Sequence, residues 1–283
     1  MKNPLDPSMA AIEQAIWFDP GQRGIHSLCL PGELARAAES LLQAEQVVIV
    51  TGFFVVDQQT YETDGPPGAI ALGNALGQLD IDVEYLTDAA GDDLFDSAGL
   101  EPVSATLLGR FLSGDPTHLV SIERLGRAAD GKYYSKRGRD LSHVTEPLDN
   151  HFLNASLRDI TTIGMGDGGN EIGMGKVHDN VVSHIPHGET IASTIETDHL
   201  IVAGTSNWGA WGLVAALSII ANRNLLPTKD GAIQHLQRLI DAGACDGVTG
   251  QRELSVDGLK TEVYLQPLDE LHRIVNAAIK SSR

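Results

Sequence analysis

Gln46–Val56, QVVIVTGFFVV, is an unbroken run rich in β-branched residues. A strand with one wet face alternates apolar and polar residues, whereas a strand covered on both faces does not. This run therefore reads as a fully covered strand. Downstream, a polar loop carries Glu62-Thr63-Asp64-Gly65, and Gly68–Leu79 reads as a helix. The pair Pro66-Pro67 stands at that helix start, where a missing N–H is tolerated. Working outward, strands are expected at Asp82–Leu86, His118–Glu123, Asp159–Ile163 and Asp198–Ala203. Between and after them lie loops rich in glycine and acid, then helical stretches. One such helix follows Gly204-Thr205-Ser206-Asn207-Trp208, with Ser206 or Asn207 as its expected cap. Gly231–Ala242 and Leu268–Ile279 read as amphipathic helices. Two Asp-Gly turns between them, at Asp246-Gly247 and Asp257-Gly258, suggest a small β excursion.

Strands alternating with helices predict an α/β, Rossmann-like fold: a mostly parallel sheet with helices on both faces. The expected organisation is one domain over residues 1–283. A helical segment (1–45) precedes the sheet core (46–222), and C-terminal helices with the β excursion (223–283) follow. In such sheets ligands sit beyond the carboxyl ends of the strands, and every unusual loop here follows a strand.

The chain has 283 residues and a formal net charge of −18. So acidic a chain is a poor partner for nucleic acid, which demands a basic surface, or for an anionic membrane. Cys29 and Cys245 are far apart and form no CxxC, so neither a disulfide framework nor a zinc knuckle is expected. The start, MKNPLDPSMAAIEQAIW, lacks the apolar core of a signal peptide, and the cytoplasm is the expected location. GxSxG, a P-loop and SxxK do not occur, so a nucleophilic triad is not indicated.

Four segments carry candidate chemistry. Gly164–Gly175 holds six glycines, and Gly164, Gly166 and Gly169 satisfy GxGxxG. Alone that pattern is a weak dinucleotide signal, and Asp167 and Glu171 inside it would repel a pyrophosphate. Asp167, Asn170 and Glu171 instead suit proton transfer, an ammonium group or a hard cation such as Mg²⁺ or Mn²⁺. Gly168 and Gly169 offer backbone N–H groups to a small ligand. The second segment places Asp64 and Gly65 just before a helix; a cap explains Asp64 on spacing alone, although a helix start also takes carboxylates. The third is Arg124–Arg139, with six of the chain's 20 basic residues. This local reversal of field makes Arg124 a candidate for a substrate carboxylate. The fourth is the helix start at Ser206 and Asn207, a ready anion site.

Thr51–Val55 (TGFFV), Glu62–Ala69 (ETDGPPGA), Gly166–Gly175 (GDGGNEIGMG) and Gly204–Leu213 (GTSNWGAWGL) together resemble the D-glutamate cyclase family. The resemblance runs from about Val47 to Asp257, and the length resembles a stand-alone bacterial form. It implies a lyase that converts D-glutamate to 5-oxo-D-proline and water. It also implies a small acidic amino acid as partner, with no obligatory cofactor; a homo-oligomer is compatible with it. For such a reaction Asp167 and Glu171 are the expected proton-transfer pair, or the ligands of any metal. Asn170, Gly168 and Gly169 are expected at the oxyanion. Asp64, Gly65, Arg124, Ser206 and Asn207 complete the expected substrate contacts. A metal-dependent lyase or isomerase for another acidic amino acid, or a non-catalytic amino-acid-binding protein, stays open.

Overall fold

The computed structural model describes residues 7–103 and 116–281. Five parallel strands form its central sheet: β1 (Gln46–Thr51), β2 (Asp82–Leu86), β3 (His118–Ile122), β4 (Thr161–Gly166) and β5 (His199–Val202). Their order is β2-β1-β3-β4-β5. Two antiparallel hairpins stand apart, one pairing Phe54–Val55 with Thr60–Tyr61 and the other Ser255–Val256 with Leu259–Lys260.

The strand expected over Gln46–Val56 stops at Thr51. Gly52 adopts φ +111°, and a Cβ there would lie 2.7 Å from the Thr87 hydroxyl. The backbone turns at that residue, and the apolar letters beyond it belong to a hairpin. The fourth strand also runs later than expected, because Asp159 takes a left-handed φ of +54° that ends the preceding turn.

Side chains alternate across the sheet as strand geometry requires. Val47, Ile49, Val120, Ile122, Ile163 and Met165 face a thick helical layer. Val48, Val50 and Leu119 face a thinner one that includes Leu148, Phe152, Ile172 and Ile195. In the thick layer α1 (Pro7–Ile16), α2 (Glu33–Leu41) and α3 (Pro66–Gly77) meet α4 (Ser206–Ile220). Two long C-terminal helices, α5 (Lys229–Ala242) and α6 (Gln266–Ser281), add to the same core. Every residue of α4 from Ser206 to Ile219 is buried, which an apolar helix tolerates only when other elements surround it. Its cap is Thr205, whose hydroxyl accepts from the Trp208 N–H at 3.3 Å, rather than Ser206 or Asn207.

Candidate active site

The strand order reverses between β1 and β3, and a crevice opens at such a switch point beyond the strand ends. Glu123 is the first residue after β3 and Asp167 the first after β4. Glu62 and Asp64 follow the first hairpin, and Asp257 turns the second. Glu123 and Asp257 hold left-handed φ values of +49° and +56°. Non-glycine residues adopt that region rarely, and such strain gathers at functional sites. Arg23 reaches in from the N-terminal loop, where the Asp19 carboxylate accepts from the N–H groups of Arg23 (2.9 Å) and Gly24 (3.0 Å).

Arg23, Glu62, Glu123, Asp167 and Asp257 border a cavity of about 360 Å³, whereas Asp64, an expected substrate contact, does not line it. Its polar side carries Arg23, Glu62, Glu123, Asp167, Asn170, Glu171 and Asp257. Phe53, Val56, Leu141 and Val248 line it too, as do Lys136, Arg137 and Arg139 of the basic loop. Gly247 lies so close that a Cβ would stand 1.8 Å from Glu62 Oε2, so only glycine lets that wall approach the acid.

Arg23 Nη1 donates to Asp167 Oδ2 and, at 2.8 Å, to Asp257 Oδ2. Burial raises the Asp167 carboxyl to about 8, although Arg23 pulls it the other way. Burial also acts on Asp257, but there the charge and hydrogen bond of Arg23 win and hold the group below its usual range. Two adjacent acids are thus driven apart, one toward the protonated form and one toward the ionised form. Glu62, Asp64 and Glu123 are raised, foremost by burial and then by neighbouring carboxylates. Ser206 Oγ donates to Glu123 Oε2 at 2.5 Å. The Glu62 carboxylate, only 7% exposed, has no hydrogen-bond donor among the described residues.

Asp167, Asn170 and Glu171 do line the cavity, but the glycine loop is organised differently from the expectation. Glu171 folds back so that its carboxylate accepts from the N–H groups of Gly168 and Gly169, each at 2.7 Å. Those donors are occupied by the protein's own anion. Asn170 Nδ2 donates to the Tyr134 carbonyl at 2.8 Å, which ties this loop to the basic one.

Asp64 accepts from the N–H groups of Ser206 (2.8 Å) and Asn207 (2.9 Å). Asn207 Oδ1 accepts in turn from Gly65 (3.1 Å) and Gly68 (2.7 Å). The helix-start anion site is therefore filled from within, and Gly65, Ser206 and Asn207 do not line the cavity. Arg124 is placed away from it as well. The residue is 1% exposed, and its guanidinium donates to both Asp88 carboxylate oxygens at 2.5 Å, to Gly52 O and to Glu146 O. A cation so enclosed is a structural strut, and Lys136, Arg137 and Arg139 are the basic-loop residues that line the space instead.

Arg23, Glu62, Glu123 and Asp257 were not among the sequence candidates. Asp257 sits in an ordinary Asp-Gly turn and Arg23 in an undistinguished loop. Only tertiary packing joins them to Asp167.

Two acid trios offer oxygen atoms within 4.8 Å of one another: Asp64, Asp167 and Asp257, and Glu123, Asp167 and Glu171. All-oxygen sets of this kind match hard divalent cations.

A family model described as D-glutamate cyclase-like, C-terminal, matches residues 12–272. The chain belongs to the D-glutamate cyclase-like family. Human D-glutamate cyclase, mitochondrial, is 39% identical over 255 residues, which are 77% of this chain and 41% of that protein. The chain thus spans about two fifths of the length of that curated relative. A crystal structure of an exopolyphosphatase-related protein from Bacteroides fragilis aligns with a TM-score of 0.45 at 8% identity, covering 88% of this chain and 60% of that one. No helix among the described residues is long and apolar enough to cross a membrane.

Proposed function

We propose that this protein is a lyase that cyclises D-glutamate to 5-oxo-D-proline with loss of water. The observation that carries the reading is the Asp167–Asp257 pair bridged by Arg23 inside the cavity, where burial holds Asp167 toward the protonated form and the Arg23 cation holds Asp257 toward the ionised one. Membership of the family and the likeness to the human cyclase support it.

The chemistry needs what this pair supplies. The α-amine of the substrate must lose protons before it can attack, and the departing oxygen must gain them. Asp257, held ionised, takes a proton from the ammonium. Asp167, held neutral, gives one to the departing oxygen; the second proton on the nitrogen then passes to Asp167 as Asp257 gives its own to that oxygen, which leaves as water with both acids restored. The nitrogen–carbon bond forms as the carbon–oxygen bond breaks. General acid–base help of this type contributes about 10²–10⁴-fold. Holding the chain folded so that amine and γ-carboxyl meet is worth effective molarities of about 10⁵–10⁸ M. The acids of the floor receive the ammonium, and Lys136 and Arg137 receive a carboxylate at the rim. Glu171 and Asn170 hold the loop that carries Asp167.

The same carboxylates fit Mg²⁺ or Mn²⁺. Asp64, Asp167 and Asp257, or Glu123, Asp167 and Glu171, would hold the ion, which would polarise the γ-carboxyl of the substrate.

The test is incubation of the pure protein with D- and L-glutamate, with 5-oxoproline followed by chromatography. Product from D-glutamate supports the proposal, and saturable binding without product would make the protein an amino-acid binder. Repeating the assay after exhaustive chelation, then with Mg²⁺ or Mn²⁺ restored, decides whether a cation takes part.

A further inference from the structure

We propose that the same cavity also cyclises γ-amides of glutamate that bear an apolar N-substituent, releasing 5-oxoproline and a free amine. This rests on the cyclase reading above and extends it to a second substrate class.

Space is the first observation. The cavity measures about 360 Å³, within the range of roughly 300–1,000 Å³ that serves much larger ligands. A single buried water needs only about 10–15 Å³ of such space. Glutamate, with ten non-hydrogen atoms, leaves a good part of it open.

The walls say what could fill the remainder. Phe53 and Val56 pack with Leu141 as one apolar cluster, and all three border the cavity. Val248, 49% exposed, lines it from the opposite loop. Free glutamate has no apolar group to offer this wall, whereas an alkyl group on the γ-nitrogen does.

Charge gives a third argument. Glu62, Glu123, Asp167, Glu171 and Asp257 all border the space. A neutral γ-amide adds no further negative charge to this acid-rich wall, whereas a γ-carboxylate does. Glu62 is buried, faces the cavity and has no donor among the described residues. A buried acceptor of this kind calls for one. A γ-amide offers this group both a donor and an acceptor, whereas a γ-carboxylate offers acceptors alone.

The step balances without a co-reactant. The α-nitrogen bonds to the γ-carbonyl carbon as the bond from that carbon to the amide nitrogen breaks. The two protons lost from the α-ammonium end on the leaving nitrogen, so a zwitterionic amide yields the 5-oxoprolinate anion and an alkylammonium cation. The acid pair that relays protons to water in the cyclase reaction relays these two.

The experiment compares D-glutamate, D-glutamine and the γ-D-glutamyl methyl- and n-butylamides on the wild-type protein. Released amine and 5-oxoproline are quantified against enzyme-free blanks. The expected result is equimolar amine and 5-oxoproline, with kcat/KM for the butylamide at least tenfold above that for D-glutamine. Each buried methylene ordinarily adds about fourfold in binding. Val56→Asp should reduce the butylamide-to-glutamine ratio at least fivefold, and the chain-length series on wild type stands if that variant does not fold. Cyclisation of D-glutamate without amine release from any amide overturns the proposal and leaves the cyclase reading intact. Equal kcat/KM for all amides overturns the role of the apolar wall. If none of the four compounds yields 5-oxoproline, the cyclase reading itself falls.

Discussion

Asp64 and Asn207 cap each other's helices. The Asp64 carboxylate accepts the first N–H groups of α4, and the Asn207 amide oxygen accepts the N–H groups of Gly65 and Gly68 at the start of α3. Both side chains are buried. Asn207 Nδ2 also donates to the Thr63 carbonyl at 3.1 Å. Asn207→Ala therefore strands the buried Gly68 donor and the Thr63 acceptor, while the Gly65 N–H keeps its bond to Asp64 Oδ1 at 3.1 Å. The expected cost is about 3 kcal/mol, from caps worth about 0.5–2 kcal/mol and unpaired buried groups at about 1–3 kcal/mol. Urea denaturation checks it, and an unchanged midpoint would show that the clasp contributes nothing.

Arg124 and Arg137 should separate cleanly. Arg124→Ala leaves the Asp88 carboxylate buried without its cation, so the variant should lose about 3–5 kcal/mol of stability and express poorly. Arg137 is exposed, lines the cavity and has no ion pair among the described residues. Arg137→Ala should fold normally and raise KM for D-glutamate about tenfold with little change in kcat. Steady-state kinetics together with a melting curve for each variant tests both halves. A KM effect confined to Arg124 would return the substrate carboxylate to that residue.

Local sequence made the sheet legible because its signal is local. Uninterrupted β-branched runs such as Val47–Val50 mark covered strands wherever they occur. Gly164–Gly175 could likewise be placed at a strand end and given to the site, since its composition is unusual over a short window. Arg23 and Asp257 could not be found in this way. Arg23 is 144 residues from Asp167 and Asp257 is 234 residues from Arg23, and neither has neighbours that set it apart. Arg124 misled for the opposite reason. A basic cluster in sequence shows where positive charge is, but not whether a residue such as Asp88 has already claimed it.

The acid pair sets the pH dependence of catalysis. With Asp167 raised to about 8 by burial, the general acid is protonated through neutral pH and is lost above that value. Asp257, shifted down because the Arg23 cation outweighs its burial, remains ionised well into the acid range. Because the two carboxyls are coupled, the limbs report the pair rather than either residue. We expect kcat/KM to be flat around neutrality and to fall above about pH 8. Asp167→Asn and Asp257→Asn should each lower kcat about 10²–10⁴-fold. Arg23→Gln should move both limbs to higher pH, because the cation lowers both carboxyls. Rate profiles from pH 5 to 10 check this, and near-normal kcat in both aspartate variants would leave the pair without a catalytic part.

Stability should carry the same signature without substrate. In the unfolded chain an aspartate gives up its proton near pH 4, whereas Asp167 in the fold keeps its proton to about 8. Between those values the native state binds more protons than the unfolded state, so stability falls as pH rises through the window and levels off above it. Glu62, Asp64 and Glu123 are raised by burial and act in the same sense. His118 acts in the opposite sense. Burial pushes it down to about 4, so its contribution is lost as pH falls below about 6.5. Above pH 6.5 that histidine is neutral in both states, and the carboxyls are left to act alone. In chelator, Tm should therefore decline from pH 6.5 to 8.5, and Asp167→Asn should make the decline shallower. A wild-type Tm that is level across this interval would mean that the acids are ionised in the fold, and the proton-sharing arrangement around Arg23 would have to be abandoned.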